Sequence, residues 1–203
     1  LPRFAQAAPG YGVVATDIDA DGLVEVVAVQ NMFTREPETG LWRGGIGVIL
    51  EYGADGTFRV EPPAETGFIV DGDAKGLTLC DLDGDNRPDF VVCQNNGKLL
   101  AWKNQSDSQP LFSVHLNGSP GNPDGIGARI IAHYTDGTIH AAEMTAGNGY
   151  LSQSQPIVYF SAAGTPIREL EIRWPDGETT KATPDAKSRT ITVSKRLLSK
   201  ATR

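Results

Sequence analysis

The chain has 203 residues, of which 39% are hydrophobic and 21% charged, as expected of a folded protein with one large or two small domains. No apolar run reaches the ~20 residues of a membrane helix, and a net charge of −7 without a basic stripe disfavours nucleic acid as a partner. The 23 glycines and 13 prolines fall mostly between Val/Ile/Leu-rich runs, which predicts short strands, tight turns and an all-β fold.

The acidic residues are distributed unevenly along the chain. The first 105 residues hold 16 of the 25 acidic residues but only 8 of the 18 basic ones, whereas the rest is close to neutral. We therefore predict two domains, 1–105 and 106–203, the second ending in a short basic tail. There is no initiator Met and no cleavable signal, so we expect a mature form or a fragment of a longer protein.

The first domain contains an internal repeat. Residues 12–31 (GVVATDIDADGLVEVVAVQN) align without gaps on residues 76–95 (GLTLCDLDGDNRPDFVVCQN), an offset of 64 residues. Each copy has an apolar strand, an acidic loop and a second apolar strand, which predicts two β-hairpins whose turns carry carboxylates. The offset is somewhat longer than a common propeller blade, and loop-like insertions can absorb the difference.

Each acidic loop offers ligands to a hard cation. Carboxylates occupy loop positions 1, 3, 5 and 9, and the carbonyl at position 7 can add one more of the roughly six to eight oxygens that Ca²⁺ requires. Without a cation these carboxylates would repel one another. We therefore predict two calcium sites, the first formed by Asp17, Asp19, Asp21, Leu23 and Glu25 and the second by Asp81, Asp83, Asp85, Arg87 and Asp89.

An EF-hand and a pair of solvated acidic turns are the two alternatives to such calcium loops. An EF-hand needs a bidentate Glu at position 12 and flanking helices, but Ala28 and Val92 occupy that position within predicted strands. Solvated acidic turns are the simpler alternative, since Asp-Gly and Asp-Asn are common turn formers. The identical ligand spacing in two copies favours calcium.

The repeats and the second half resemble known families. The Asp-x-Asp-x-Asp-Gly-x-x-Asp loops are similar to the FG-GAP/VCBS repeats of integrin-α-type propellers, in which such loops bind calcium. Residues 122–130 (NPDGIGARI), 147–154 (GNGYLSQS) and 174–177 (WPDG) resemble the ASPIC/UnbV domain. That domain typically follows FG-GAP/VCBS repeats, as in the cartilage acidic protein family. The resemblance implies a partial β-propeller of two blades followed by a small ASPIC/UnbV domain.

The residues of the second half independently predict a small β-sandwich of about six strands. Strand-like runs over 126–134 and 139–144 flank a Thr-Asp-Gly-Thr turn, and further runs cover 156–160, 167–174 and 190–194. A weaker candidate binding site lies here. Arg129 and Asp176 could hold a ligand together, and Tyr150, Ser152 and Gln153 could contact a sugar or peptide, although turn formation and a surface ion pair also explain these residues.

No catalytic motif is present, since the chain lacks a nucleophile elbow, a His-Glu-x-x-His segment, a phosphate-binding Gly-Lys loop and a dinucleotide fingerprint. We therefore expect a calcium-stabilised binding or scaffold module for adhesion or assembly, without catalysis of its own. The alternative is an accessory or catalytic domain of an extracellular carbohydrate-active enzyme. Loops that need millimolar-range calcium predict an extracellular, periplasmic or cell-surface location.

Two repeats cannot close a propeller, which needs about four to eight blades. The expected partners are therefore a protein or polysaccharide ligand, or further blades from a longer chain or another subunit, with no nucleic acid and no membrane span. Cys80 and Cys93 are expected to be free, buried thiols, because the hairpin places them too far apart for a disulfide.

Overall fold

The computed structural model describes residues 1–33, 38, 40, 42–53, 55–107, 111–162, 164–185 and 187–195. Within these residues the chain is almost entirely β, with four sheets, no closed barrel and only single-turn helices. The predicted all-β class is confirmed. None of the described helices is long and apolar enough to cross a membrane. The predicted basic tail after residue 195 lies outside the described residues.

The first half of the chain forms two antiparallel sheets. One has the order β1-β2-β3-β4 and the other the order β5-β6-β7. A 3-10 helix (Arg3–Gln6) precedes them, and a one-turn helix, α1 (Pro63–Thr66), lies between them in sequence. The strands are β1 (Gly10–Thr16), β2 (Glu25–Gln30), β3 (Val48–Tyr52), β4 (Phe58–Val60), β5 (Ala74–Cys80), β6 (Asp89–Gln94) and β7 (Leu100–Trp102).

The sequence repeat is also a structural repeat. In the first hairpin Thr16 pairs with Glu25, and in the second Cys80 pairs with Asp89, so the closing pair of each hairpin differs by the same 64 residues. Both hairpins also have a register shift at the beginning of their first strand. The two predicted hairpins are therefore confirmed, and the structure shows that they share one register.

The two sheets share one apolar core. Its fully buried members come from both hairpins and from the connection before β5, and include Val27, Val29, Val70, Leu77 and Val92. The strands β1 and β5 approach closely at Gly12, where a Cβ atom would lie 2.6 Å from the Leu77 Cβ atom. A glycine at this position lets the two repeats touch.

The second half forms two further sheets around a separate core. One is antiparallel, with the order β10-β9-β12-β13, and the other has the order β11-β8-β14, with β14 parallel to β8. Both sheets contribute buried side chains to one cluster that contains Val114, Ile130, Leu170 and Ile172. The strands are β8 (Phe112–Asn117), β9 (Arg129–Tyr134), β10 (Ile139–Glu143), β11 (Ile157–Phe160), β12 (Ile167–Arg173), β13 (Thr179–Ala182) and β14 (Thr190–Ser194).

The chain divides into two compact units. The first comprises Leu1–Ser108 together with Gly147–Gln155, and the second comprises Gln109–Ala146 and Pro156–Arg203. The segment 147–155, which the sequence analysis assigned to the second domain, is attached along β5. The Gln155 N–H donates to the Leu79 carbonyl at 2.9 Å, and the Ser152 hydroxyl donates to the Leu77 carbonyl at 2.9 Å.

The two cysteines are free, as expected, but the expectation that both are buried is wrong. Cys93 is exposed and Cys80 is half-buried. Cys80 lies opposite Asp89 and Cys93 opposite Gly76 in the β5–β6 ladder. Along β6 the buried face belongs to Phe90 and Val92, so the side chain of Cys93 lies on the other face, where the core does not cover it.

We predict that Gly12→Ala destabilises the protein by about 1–3 kcal/mol, because the added methyl group has no room against Leu77 and the Lys75 carbonyl. Urea unfolding measures this change. Gly10→Ala, in the same strand, is the matched control, since no atom lies within 4 Å of its added methyl group. Equal stability of the two variants would refute the close approach of β1 and β5.

Candidate metal centre

The two acidic loops have the same backbone shape. In the first loop Ala20 and Gly22 have positive φ angles of 63° and 92°. In the second loop the equivalent residues, Gly84 and Asn86, have φ angles of 79° and 62°. Gly and Asn adopt this left-handed conformation more readily than other residues, so the exchange of Gly22 for Asn86 preserves the turn.

Backbone amides of each loop bind the same two carboxylates. Asp17 accepts the Gly22 N–H at 3.0 Å, and Asp81 accepts the Asn86 N–H at 3.0 Å. At the end of the first loop Glu25 accepts the Ile18 N–H at 2.7 Å. The matching contact in the second loop is between Asp89 and the Leu82 N–H, at 2.8 Å. These contacts curl each loop inward, which brings side chains two residues apart toward one point.

In the first loop, oxygens of Asp17, Asp19 and Glu25 lie within 4.8 Å of one another. Asp17 and Glu25 are buried, whereas Asp19 is exposed. The Oδ1 atom of Asp17 is buried without a hydrogen-bond partner. A buried, unpartnered carboxylate oxygen is costly, and a cation bound among the three carboxylates would supply its missing partner.

Burial dominates the electrostatics of the first loop. It raises the pKa of Asp17 to about 6 and that of Glu25 to about 7, and the neighbouring carboxylates act in the same direction. The backbone N–H groups of Gly22 and Ala20 partly oppose the shift of Asp17, and that of Ile18 partly opposes the shift of Glu25. The ion pairs found among the described residues include none of the four first-loop carboxylates. Without a metal, the negative charge of this loop is therefore poorly compensated.

In the second loop, oxygens of Asp81, Asp83 and Asp85 lie within 4.8 Å of one another. These three side chains are less buried than Asp17. Lys103, the residue after β7, forms ion pairs with Asp83 and, at 3.7 Å, with Asp85. Its ammonium group lowers the pKa of Asp83. Arg87 also forms an ion pair with Asp85, at 3.5 Å. The second loop therefore has two protein cations beside it.

Several predicted ligands use their carboxylate oxygens to accept backbone N–H groups. Asp21 accepts the Leu23 N–H at 2.7 Å, and Asp85 accepts the Arg87 N–H at 2.9 Å. Both oxygens of Asp89 accept backbone N–H groups, from Leu82 and Asn104. Asp21 and Asp89 are not part of the two three-carboxylate clusters among the described residues.

Sequence analysis missed Lys103 and Asn104. The Asn104 N–H donates to Asp89 at 2.7 Å, and its side-chain amide donates to the Ile18 carbonyl at 2.8 Å, so Asn104 contacts both acidic loops. The feature that could have revealed these two residues is the β6–β7 hairpin, in which Phe90 pairs with Trp102. One further step along this register places Lys103 beside Asp89, but the strand β7 was not predicted.

The weaker candidate site in the second unit does not form one cluster. Asp176 is ion-paired with Lys195, which lowers its pKa, and both line a small cavity of about 110 Å³ with Trp174. Arg129 is not among the residues that line this cavity. It begins β9, where its neighbours across the ladders are Glu143 and Arg173.

The segment 147–155 uses its polar groups mainly in its own attachment to β5. The Ser152 hydroxyl donates to Leu77, and the Gln153 carbonyl accepts the Thr78 hydroxyl at 2.7 Å. The Tyr150 ring contacts the Tyr11 ring edge-on, with centroids 5.1 Å apart. Of the three predicted ligand contacts in this segment, Tyr150 and Gln153 are exposed and Ser152 is half-buried.

Comparisons with known proteins support the resemblance in the second half. Residues 118–197 match the family model described as ASPIC and UnbV. This match covers less than half of the chain. It begins just after β8 and includes the Asp176 turn and the segment 147–155.

The chain is also similar to three curated proteins, each named cartilage acidic protein 1. It is 23% identical to the mouse protein over 180 residues, which is 87% of this chain and 27% of the relative. The Xenopus tropicalis protein is 25% identical over 87% of this chain and 27% of its own length. The human protein is 22% identical over 87% of this chain and 26% of its own length. The chain thus spans about a quarter of the length of these curated relatives.

We predict that, in chelator, the protein becomes less stable as the pH rises from about 4.5 to 7.5. The folded-state pKa values of Asp17 and Glu25, about 6 and 7, lie above their ordinary values of 3.8 and 4.5. The folded state therefore binds more protons than the unfolded state, and this stabilisation is lost as the pH passes through the raised pKa values. Thermal unfolding in chelator at several pH values measures the effect.

Glu25→Gln is the control for this pH dependence, because the amide oxygen of Gln can still accept the Ile18 N–H but does not titrate. We expect a flatter profile for this variant across the same pH range. Identical profiles for the two proteins would contradict the assignment of the raised pKa to Glu25.

Proposed function

We propose that the chain is a calcium-stabilised binding or scaffold module that works outside the cytoplasm in adhesion or assembly, without catalysis of its own. The observation that carries this proposal is the buried, unpartnered Oδ1 atom of Asp17 beside the carboxylates of Asp19 and Glu25. Calcium prefers carboxylate and carbonyl oxygens and tolerates irregular geometry. It would neutralise a charge cluster for which the described ion pairs supply no cation.

In this proposal two calcium ions bind. Asp17, Asp19 and Glu25 hold the first, with Asp21 and the Leu23 carbonyl available to complete its shell. Asp81, Asp83 and Asp85 hold the second, with the Arg87 carbonyl and Asp89 in the corresponding positions. Each ion would fix the turn of its hairpin and thereby the ends of the two strands that carry it.

We further propose that the two sheets of the first unit are neighbouring blades of a β-propeller. Three observations support this arrangement: the hairpins repeat in register, the first sheet is a four-stranded antiparallel meander, and the first strands of the two sheets touch at Gly12. A propeller needs more blades than two. The length of the curated relatives, of which the chain matches about a quarter, favours a longer chain over another subunit as their source.

The relatives also support a location outside the cell. They are named for cartilage, a tissue that consists largely of extracellular matrix, and we propose an extracellular or cell-surface location for this chain. Calcium is abundant there, which suits loops of modest affinity. The ligand of the module would be a protein or a polysaccharide.

A carbohydrate-active enzyme is less well supported. The raised pKa values of Asp17 and Glu25 are of the kind that a general acid needs. Neither carboxylate, however, lines the cavity of about 350 Å³ beside Ile18, whose wall includes Phe68, Phe90 and Trp102. A glycosidase needs its acid exposed to the scissile bond, whereas Glu25 is only 5% exposed.

We predict that removal of calcium lowers the melting temperature by more than about 5 °C. Binding to the folded state alone stabilises by about 2.7 kcal/mol per site at a hundredfold excess over Kd, and about 1 kcal/mol corresponds to 2–4 °C for a domain of this size. Differential scanning calorimetry of metal-stripped protein, with calcium and with chelator, measures the difference.

Single carboxylate variants assign this stabilisation to the loops. Asp19→Asn should remove most of the calcium-dependent stabilisation that the first site provides. Asp83→Ala should remove most of that provided by the second site. Asp136→Ala, in the turn between β9 and β10, should lower stability equally with and without calcium, because Asp136 accepts its hydrogen bonds from Thr138 of the same turn. Superimposable melting curves of the wild type with calcium and with chelator would overturn the proposed function.

A further inference from the structure

The two acidic loops differ in the charge that flanks them on the third strand of each sheet. Val26 of the first repeat pairs with Leu50, and its counterpart Phe90 pairs with Trp102. One residue further along, the first repeat has Glu51 and the second has Lys103. The same structural position therefore carries a negative charge beside the first loop and a positive charge beside the second.

Lys103 is a counter-ion of the second loop. It contacts Asp83 and lies 3.7 Å from Asp85, two of the three carboxylates that converge there. A divalent cation bound among the same carboxylates would be repelled by this ammonium group, or would have to displace it. Lys103 therefore opposes calcium in the second loop.

Glu51 acts in the opposite sense at the first loop. The β2–β3 register pairs Val26 with Leu50, so the next residue along β3, Glu51, lies beside Glu25 at the end of the first loop. The strand β3 therefore adds a negative charge to the side of the first loop, where Asp17, Asp19 and Glu25 already cluster. Arg59, the neighbour of Glu51 across the β3–β4 ladder, donates to Asp55 at 2.8 Å and also attracts Glu51, so the negative charge of Glu51 is partly offset.

The first loop also has a structural demand for a cation that is independent of this charge pattern. The Oδ1 atom of Asp17 is buried without a partner, and Asp17 is only 8% exposed. No buried side-chain oxygen of the second loop is unpartnered among the described residues. Excess negative charge and an unpartnered oxygen thus coincide in the first loop, whereas the second loop has an ammonium group.

We propose that the two calcium sites are inequivalent, and that the charge reversal between Glu51 and Lys103 sets the order in which they fill. The first loop binds calcium tightly and stays occupied. The second loop binds weakly and exchanges its ion as the calcium concentration changes. This inference rests on the proposed function, since it assumes that both loops bind calcium.

Isothermal titration calorimetry of the metal-stripped 203-residue chain with calcium tests the inference. The wild type should show two affinity classes. Asp19→Asn should abolish the tight class, and Asp83→Asn should abolish the weak class. Lys103→Met, which keeps the length of the side chain but removes its charge, should tighten the weak class about fivefold to tenfold. Glu51→Gln should weaken the tight class about threefold.

Two surface variants control for net charge. Lys98→Met removes an exposed positive charge near the end of β6, and Glu143→Gln removes an exposed negative charge from β10. Neither should change either affinity class by more than about 1.5-fold, since exposed charges far from the site are screened. The double exchange Glu51→Lys with Lys103→Glu should bring the two affinity classes closer together, because it weakens the first site and tightens the second.

A ligand-free readout tests the same charges without calcium. In chelator, Lys103→Met should lower the melting temperature by about 1–3 °C relative to Lys98→Met, and Glu51→Gln should raise it relative to Glu143→Gln. Equal affinity of the two loops in the wild type, or an unchanged weak class in Lys103→Met, would overturn the inference alone. A wild type that binds no calcium would overturn the proposed function as well.

Discussion

A carboxylate at the ninth position of each acidic loop closes a hairpin, and the geometry of the first unit depends on these two contacts. Glu25 holds the Ile18 N–H at 2.7 Å, and Asp89 holds the Leu82 N–H at 2.8 Å. Both side chains are buried, with Asp89 fully so. A buried carboxylate has to be compensated by hydrogen-bond donors or by a cation. The two loops meet this demand differently, and the difference determines what each can bind.

Asp89 is compensated by the protein itself. It accepts two backbone N–H groups, one of them from Asn104, and Lys103 approaches the carboxylates near it. Glu25 accepts the Ile18 N–H but has no basic partner among the described residues. Burial raises the pKa of both carboxylates, that of Glu25 to about 7, and backbone N–H groups oppose the shift in each loop. The proposed calcium ion would replace the protons that the first loop otherwise takes up near neutral pH.

Asn104 joins the two loops physically. Its backbone N–H binds Asp89 and its side-chain amide binds the Ile18 carbonyl, 86 residues away in sequence. A conformational change in one hairpin turn would therefore be transmitted to the other through these two hydrogen bonds. The close approach of β1 and β5 at Gly12 gives a second, apolar connection between the repeats. The first unit is thus held together at both ends of its hairpins.

In the second unit, the matched family region and the compact unit have different boundaries. The segment 147–155 lies within the family match at 118–197 but belongs to the first compact unit. Its glycines and polar residues attach it to β5 through the Ser152 hydroxyl and the Gln155 N–H. This attachment accounts for its composition without requiring a ligand.

The sequence by itself determined the all-β class, the two hairpins and the clustering of carboxylates in their turns. These features are local: strand alternation, Gly and Asn at turn positions and a gapless repeat need no distant residue to be recognised. The strand β8, with buried Phe112, Val114 and Leu116, also had the alternating pattern that would have predicted it.

Only the tertiary structure decided how the charge of each loop is compensated. Lys103 reaches the second loop because β7 pairs with β6, and Glu51 lies near the first because β3 pairs with β2. The unpartnered oxygen of Asp17 and the contacts of Asn104 likewise depend on how the strands are packed. Burial and long-range pairing are properties of the folded chain, so two loops with identical ligand spacing can differ in the cation they require.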